Sequence, residues 1–299
     1  MEKKLLFVFN PYAGKGQIKN HLWQIIDLFV KGGYQVTVHP TQSRLDALRV
    51  VQDKASDYDL LVCSGGDGTF NETVRGLMLC EKKPPLGYIP AGTINDFSRN
   101  LGLSKKMPDA AEAILRGVPV ACDVGAFNDE FFTYIAAFGV FTDVSYQTPQ
   151  QSKNILGRLA YIFEGMKRLP SLKDAYHLVV EYDNQVIEDD FLFGMVTNAT
   201  SVGGFKGIYE NNMELDDGLF EVSLIKYPKT PLDMQGIINA LLKREAEPAF
   251  IYSFKASKLC IFGEREVSWT LDGEFGGNPQ NVKLENKKCA IQVIKGAQS

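Results

Sequence analysis

A chain of 299 residues is long for one ordinary core and suits two domains. Its 45% hydrophobic and 23% charged residues are those of a globular protein, and a net charge of −4 leaves no global field to attract nucleic acid. Contact with a membrane or a phosphate must therefore use a local basic patch.

In chain order, Leu5 to Phe9 is a continuous apolar run, as expected of a strand buried on both faces of a parallel sheet, and Asn10-Pro11-Tyr12-Ala13-Gly14-Lys15-Gly16 ends it in a loop. Ile18, Leu22, Ile25, Ile26 and Phe29 share one helical face before Gly32-Gly33. Tyr34 to His39 reads as a second strand, Thr41 to Ser43 as a turn, and Leu45 to Lys54 as a helix capped by Ser43. A third strand starts at Leu60 and a fourth runs from Leu86 to Ile89. A helix over Asp109 to Arg116 and a strand over Ala121 to Val124 complete an open parallel sheet with alternating helices. After about Gly125 the pattern changes. Strands are expected at Phe131–Ala137, Tyr176–Tyr182, Val186–Asp190, Phe191–Asn198, Phe220–Lys226, Ser257–Phe262, Val267–Leu271 and Cys289–Ile294, with Asp183-Asn184 a hairpin turn. Helices are expected only at Leu156–Leu169 and Leu232–Leu242. The fold class is α/β: an open parallel-sheet nucleotide-binding domain over 1–124, then an antiparallel β-sandwich-like domain over 125–285, with 286–299 returning to the first.

The five cysteines, at 63, 80, 122, 260 and 289, are odd in number and mostly set in apolar runs, which points to free buried thiols in a reducing cytoplasm. The N-terminus shows no cleavage signal and no stretch approaches ~18 uninterrupted apolar residues, so neither secretion nor membrane spanning is expected. His21, His39 and His177 have no paired partner in sequence and receive no catalytic role.

The third strand carries the chemistry. Gly65-Gly66-Asp67-Gly68-Thr69 joins it to a helix-compatible run beginning at Phe70, so the glycines and the helix N-terminus can cradle a phosphate. Asp67 inside an anion cradle makes sense once a cation such as Mg²⁺ lies between. No Gly-x-x-x-x-Gly-Lys-Ser/Thr occurs, since Gly14-Lys15-Gly16 lacks the first glycine and the terminal hydroxyl, and the dinucleotide fingerprint fails because position 71 is Asn. Loops at Asn10, Thr41, Gly65 and Ala91 all follow strands of a parallel sheet, where ligands bind. Asp67 and Asp96 suit a hard cation, and Asp272-Gly273-Glu274 offers two more acids on a turn. Asp96 also fits a helix cap, and Asp216-Asp217-Gly218 also fits a surface turn.

Asn10-Pro11 with Gly14-Lys15-Gly16, Gly65 to Thr69 with Asn71-Glu72, Pro90-Ala91-Gly92-Thr93 with Asn95-Asp96-Phe97, Asp216-Asp217-Gly218, and Leu271-Asp272-Gly273-Glu274 together resemble the diacylglycerol kinase catalytic-domain family, in its bacterial lipid kinase branch. That family is related to sphingosine kinases and, more distantly, to NAD kinases. The resemblance implies ATP held by Asn10, Pro11, Tyr12, Ala13, Gly14, Thr41, Gly66, Asp67, Gly68, Thr69, Phe70, Asn71, Glu72 and Thr93. It implies Glu274 as general base, with Asp67 and Asp272 counted beside it as catalytic acids. A structural Mg²⁺ is implied near Asp217, with the carbonyls of Glu214 and Leu219 as further ligands.

The expected function is ATP- and Mg²⁺-dependent phosphorylation of diacylglycerol or a similar membrane lipid alcohol. An NAD kinase and a non-catalytic lipid- or nucleotide-binding regulator are the alternatives. The expected partners are ATP and a membrane lipid, with no nucleic acid. An amphipathic stretch over 156–169, with Arg158, Lys167, Arg168 and Lys173 in or beyond it, suits peripheral contact with an anionic membrane. The sequence is compatible with a homodimer and does not set the oligomeric state.

Overall fold

The computed structural model describes residues 2–92, 95, 97–98, 103–139, 175–198, 201–202, 205–206, 215–243 and 247–296. The chain divides into two compact units, Met1–Val124 with Lys288–Ser299, and Gly125–Lys287.

In the first unit β1 (Lys3–Phe9), β2 (Tyr34–Pro40), β3 (Leu60–Gly65) and β4 (Leu86–Pro90) lie parallel in the order β2-β1-β3-β4, followed in the chain by β5 (Val118–Phe127). Helices α1 (Ile18–Lys31), α2 (Asp46–Lys54), α3 (Asp67–Met78) and α4 (Met107–Arg116) alternate with these strands. Apolar runs suit β3 and β4 because both faces are covered, and every residue of the two is buried. On one face Ile18, Ile25 and Phe29 of α1 and Met107 and Ile114 of α4 meet Leu5, Phe7 and Val62. Alternation sends Leu6, Val8, Leu61 and Tyr88 to the other face. There the ring of Phe70, on α3, lies 4.6 Å from that of Tyr88, and α2 packs on α3.

Ser43 is not the cap of α2. Leu45, at φ 62°, immediately precedes the helix with no side-chain cap, and the carboxylate of Asp46 instead accepts the Gln42 N–H at 2.8 Å. His39 Nε2 lies 3.1 Å from the same carboxylate, a partner that sequence did not show. The Gln42 N–H is the main cause holding the Asp46 carboxyl below its ordinary range.

The second unit is antiparallel. Its strands are β6 (Glu130–Phe132), β7 (Ile135–Gly139), β8 (Tyr176–Tyr182), β9 (Gln185–Thr197), β10 (Ser201–Val202), β11 (Phe205–Lys206), β12 (Phe220–Lys226), β13 (Ile251–Ala256), β14 (Lys258–Gly263), β15 (Trp269–Leu271), β16 (Glu274–Phe275) and the start of β17 (Asn281–Lys295). Asp183 and Asn184, at φ 43° and 62°, turn β8 into β9 as a two-residue hairpin. β9 serves different partners along its length, pairing first with β8 and then with β7 on one side and β12 on the other. Phe132, Phe138, Phe191, Phe220, Trp269 and Leu284 fill the core between strands. A second apolar layer forms where Ile237, Ile238 and Leu241 of α5 (Pro231–Lys243) meet Phe193, Met195 and Ile225. The end of β17 belongs to the first unit, where it lies parallel to β4 with Val293 opposite Leu86.

Several strands differ from expectation. The run from Phe131 to Ala137 is broken at Thr133-Tyr134, which hold a carboxylate described below. Val186–Asp190 and Phe191–Asn198 merge into β9, and β13 was not anticipated. β17 starts at Asn281 rather than Cys289. Val282, Leu284 and Asn286 point inward there while the intervening Lys283, Glu285 and Lys287 are more exposed, so charge hides the strand. Cys63, Cys80 and Cys122 are buried and in no disulfide, as expected, and burial pushes the Cys63 thiol up to about 12, but Cys289 is exposed. The expected helix over 156–169 lies outside the described residues. No helix among them is long and apolar enough to cross a membrane.

Candidate active site

The loops after β1, β3 and β4 interlock. The backbone N–H of Asn10 donates to Ser64 O at 2.9 Å, and its side-chain Oδ1 accepts from the Tyr12 N–H at 2.9 Å. Its amide Nδ2 reaches Thr69 Oγ1 at 3.4 Å, tying the end of β1 to α3. Gly14 takes φ 54°, and a Cβ there would stand 1.8 Å from Ala91 O, so only glycine lets these two loops touch. The Ala91 N–H in turn donates to Gly65 O at 2.8 Å. Asn95 closes the β4 loop on itself, accepting from the Gly92 N–H at 2.9 Å and donating to Gly92 O at 2.6 Å. Beneath these loops the buried Tyr88 hydroxyl donates to Gly65 O at 3.1 Å and lies 3.4 Å from Asn95 Oδ1. Burial, followed by the charge of Asp67, drives the Tyr88 phenol well above its usual range.

These contacts frame the N-terminus of α3. Its first helical bond runs from Phe70 N–H to Gly66 O at 3.0 Å, so the amides of Asp67, Gly68 and Thr69 precede the ladder and add to the positive end of the helix dipole. Gly68 is exposed, and a Cβ on it would meet no heavy atom within 4 Å, which leaves the mouth of the turn open. The loop after β2 joins from the side: the Thr41 N–H donates to Phe9 O at 2.9 Å, and the Leu45 N–H donates to Glu72 Oε1 at 2.9 Å.

Asn10, Pro11, Tyr12, Ala13, Gly14, Thr41 and Gly66 to Glu72 thus all sit at or just beyond the carboxyl ends of β1, β2 and β3 in the first unit. Phe70 differs from its neighbours. Its side chain is fully buried against Tyr88 and Phe97, so it has only backbone to offer a ligand. Thr93 and Asp96 lie outside the described residues. Asn95 and Tyr88 brace the β4 loop; the sequence marked Asn95 only as part of the Asn95-Asp96-Phe97 motif and Tyr88 only as a residue of the fourth strand.

The acids of the second unit divide by burial. Glu274 is exposed at the first position of β16, opposite Leu271 on β15. Asp272 is 6% exposed, and its carboxylate accepts four hydrogen bonds: from Thr133 N–H at 2.7 Å, Thr133 Oγ1 at 2.6 Å, Tyr134 N–H at 2.9 Å and Ile135 N–H at 3.0 Å. Burial pushes its carboxyl up while these donors pull it down, and burial prevails. A carboxylate so engaged braces the turn that leads to Glu274. Thr133 and Tyr134 lie more than a hundred residues away in the chain, so no local pattern could reveal them.

Asp217 sits in a turn, its Oδ1 accepting the Leu219 N–H at 2.9 Å and its Oδ2 lying 3.9 Å from Lys255 Nζ. Lys255 also reaches the buried Glu221 at 3.6 Å. Glu214 lies outside the described residues, and among those described no three His, Cys, Asp or Glu side chains gather as a metal would require.

Residues 4–127 match the model of the diacylglycerol kinase catalytic domain. A diacylglycerol kinase of Bacillus subtilis (strain 168) is 34% identical over 277 residues, covering 92% of this chain and 91% of that one. A diacylglycerol kinase of Staphylococcus haemolyticus is 35% identical over 302 residues, covering 98% and 90%. Two solved structures from Bacillus anthracis str. Sterne share the fold, one at 29% identity and a TM-score of 0.82, the other, a diacylglycerol kinase, at 25% and 0.76. Each match covers 99% of this chain and 97% of the other. Together with the glycine turn at the head of α3, these likenesses define a kinase that transfers phosphate to an alcohol. The chain belongs to the bacterial diacylglycerol kinase catalytic-domain family.

Proposed function

We propose that this kinase phosphorylates the free hydroxyl of diacylglycerol or a related membrane lipid alcohol, with ATP as donor and Mg²⁺ as cofactor. The observation that carries the reading is the open turn at α3, in a chain whose relatives over 92% of its length are diacylglycerol kinases. Three amides ahead of the helical ladder and a glycine facing open space fit phosphate oxygens. Asp67 in the same turn fits a hard cation between itself and those oxygens. Bound Mg²⁺ would neutralise charge on the phosphates.

The chain's own residues would do the rest. Backbone groups of Asn10 to Gly14 and Gly66 to Glu72, with Thr41 and Thr93, would hold the nucleotide, and Asp67 would hold the metal. Glu274 would take the proton from the acceptor hydroxyl as general base, since phosphoryl transfer asks for positioning and charge stabilisation with little covalent work. A second, structural Mg²⁺ would use Asp217 with the carbonyls of Glu214 and Leu219. Lys255 would compete with it for the Asp217 carboxylate, and a melting temperature unmoved by EDTA would count against that metal.

The lipid must be met at a membrane, and the basic stretch 156–169 is the proposed peripheral contact. Exchange of Lys167 and Arg168 for Glu should then weaken sedimentation with anionic vesicles at low salt; unchanged sedimentation sinks that contact. The names of the relatives favour a lipid acceptor over NAD and over a role without catalysis. Transfer of label from ATP to a panel of lipid alcohols in mixed micelles, with NAD as control, tests the whole reading. Label on diacylglycerol is expected, and label on NAD alone, or none, would reject it.

A further inference from the structure

The hairpin that bears Glu274 is too small to hold itself. β15 has three residues and β16 two, and an isolated two-stranded hairpin is marginal in water even when much longer. Asp272 and Gly273, at φ 51° and 86°, close it as a two-residue turn, which sets the reversal of the chain without anchoring it to anything. β15 is laddered to β7, with Trp269, Thr270 and Leu271 opposite Phe138, Ala137 and Ala136, while β16 lies at the end of the sheet beyond β15; the turn between them, and with it β16, is tied down by a buried polar network. Besides the four donors on its carboxylate, Asp272 donates its N–H to Ile135 O at 2.8 Å, and its carbonyl accepts the Tyr134 hydroxyl at 2.9 Å. The backbone carbonyl of Tyr134 takes the Asn198 N–H at 2.9 Å, and Asn198 Oδ1 accepts from Asn286 Nδ2 at 3.1 Å. Thr133, Tyr134, Asn198, Asp272 and Asn286 are all buried, and a connected network of this kind specifies one geometry at a cost that an apolar core would avoid.

We propose that Tyr134 and Asp272 are positioning residues for Glu274: the carboxylate pins the hairpin to the link between β6 and β7, and the Tyr134 hydroxyl fixes the peptide plane at Asp272, two residues before the base. The proposal rests on the reading of Glu274 as general base. Tyr134 is the better handle, because Tyr134→Phe keeps the ring and removes one hydrogen bond, whereas changes at Asp272 threaten the fold.

The experiment is a double-mutant cycle in the label-transfer assay at saturating ATP and lipid, with melting temperature recorded for each variant. Tyr134→Phe alone should lower kcat about tenfold, the worth of roughly one well-placed hydrogen bond, and leave the KM for ATP within about twofold. In a Glu274→Gln background the same change should lower the residual rate by less than about twofold, since no base remains to be positioned. An equal factor in both backgrounds, or a wild-type kcat in Tyr134→Phe, overturns the positioning role. If Glu274→Gln alone keeps more than about a third of the wild-type rate, the general-base reading fails and the positioning role falls with it. The single variants tell these failures apart.

Discussion

The glycine turn of the first unit and the acidic hairpin of the second solve the same problem in opposite ways. At the head of α3 the arrangement is made of backbone: three amides ahead of the helical ladder, with Gly14 meeting the carbonyl of Ala91 where no side chain would fit. At β15–β16 it is made of side chains, with a buried carboxylate taking four hydrogen bonds from a segment distant in sequence. The first design is preset by main-chain geometry and tolerates no bulk. The second is preset by polar pairing and tolerates no loss of a partner.

The largest expected effect is on activity in the first unit. Asp67→Ala should lower kcat by about 10²-fold or more while leaving the fold intact, because it removes the proposed metal ligand from a turn already built by backbone bonds. Titration with Mg²⁺ checks it, and an unchanged Mg²⁺ dependence would mean that Asp67 serves only the turn. In the second unit the balance should reverse. Asp272→Ala strands four donors around a small hole and should cost about 3–5 kcal/mol of stability by urea unfolding. A loss of activity without a shift in the unfolding midpoint would break the contrast.

These two arrangements were not equally visible in the sequence. β1, β3 and β4 were legible because strands covered on both faces must be apolar throughout, and the turn after β3 was legible because its glycines are consecutive. The hairpin was legible only as Asp-Gly followed by Glu. The residues that grip it, Thr133 and Tyr134, lie in what reads as one unbroken strand, and nothing local marks the partner of Asp272. The first half of β17 was hidden for another reason, since Lys283, Glu285 and Lys287 alternate with inward residues and mask the period. Tyr88 reads as one more apolar strand residue, and its hydroxyl gains meaning only from Gly65 and Asn95 beside it.

A smaller effect sharpens the same contrast. Gly14→Ala adds one methyl where the Ala91 carbonyl stands, at a φ of 54°, and should cost about 1–3 kcal/mol together with a higher KM for ATP. Calorimetric unfolding with and without ATP separates the two consequences. A variant as stable as wild type would show that the loops do not need their close approach.

In the proposed reaction labour is divided: the first unit holds the nucleotide and Glu274 of the second removes the acceptor's proton. Glu274→Gln tests it most directly, because glutamine keeps the size and hydrogen bonding of an exposed side chain and removes only its basicity. Turnover on micellar diacylglycerol should fall about 10²–10⁴-fold while the affinity for ATP, by titration calorimetry with Mg²⁺ present, stays within about twofold. A variant that keeps more than about a third of its turnover, or that loses ATP binding along with it, would contradict that division.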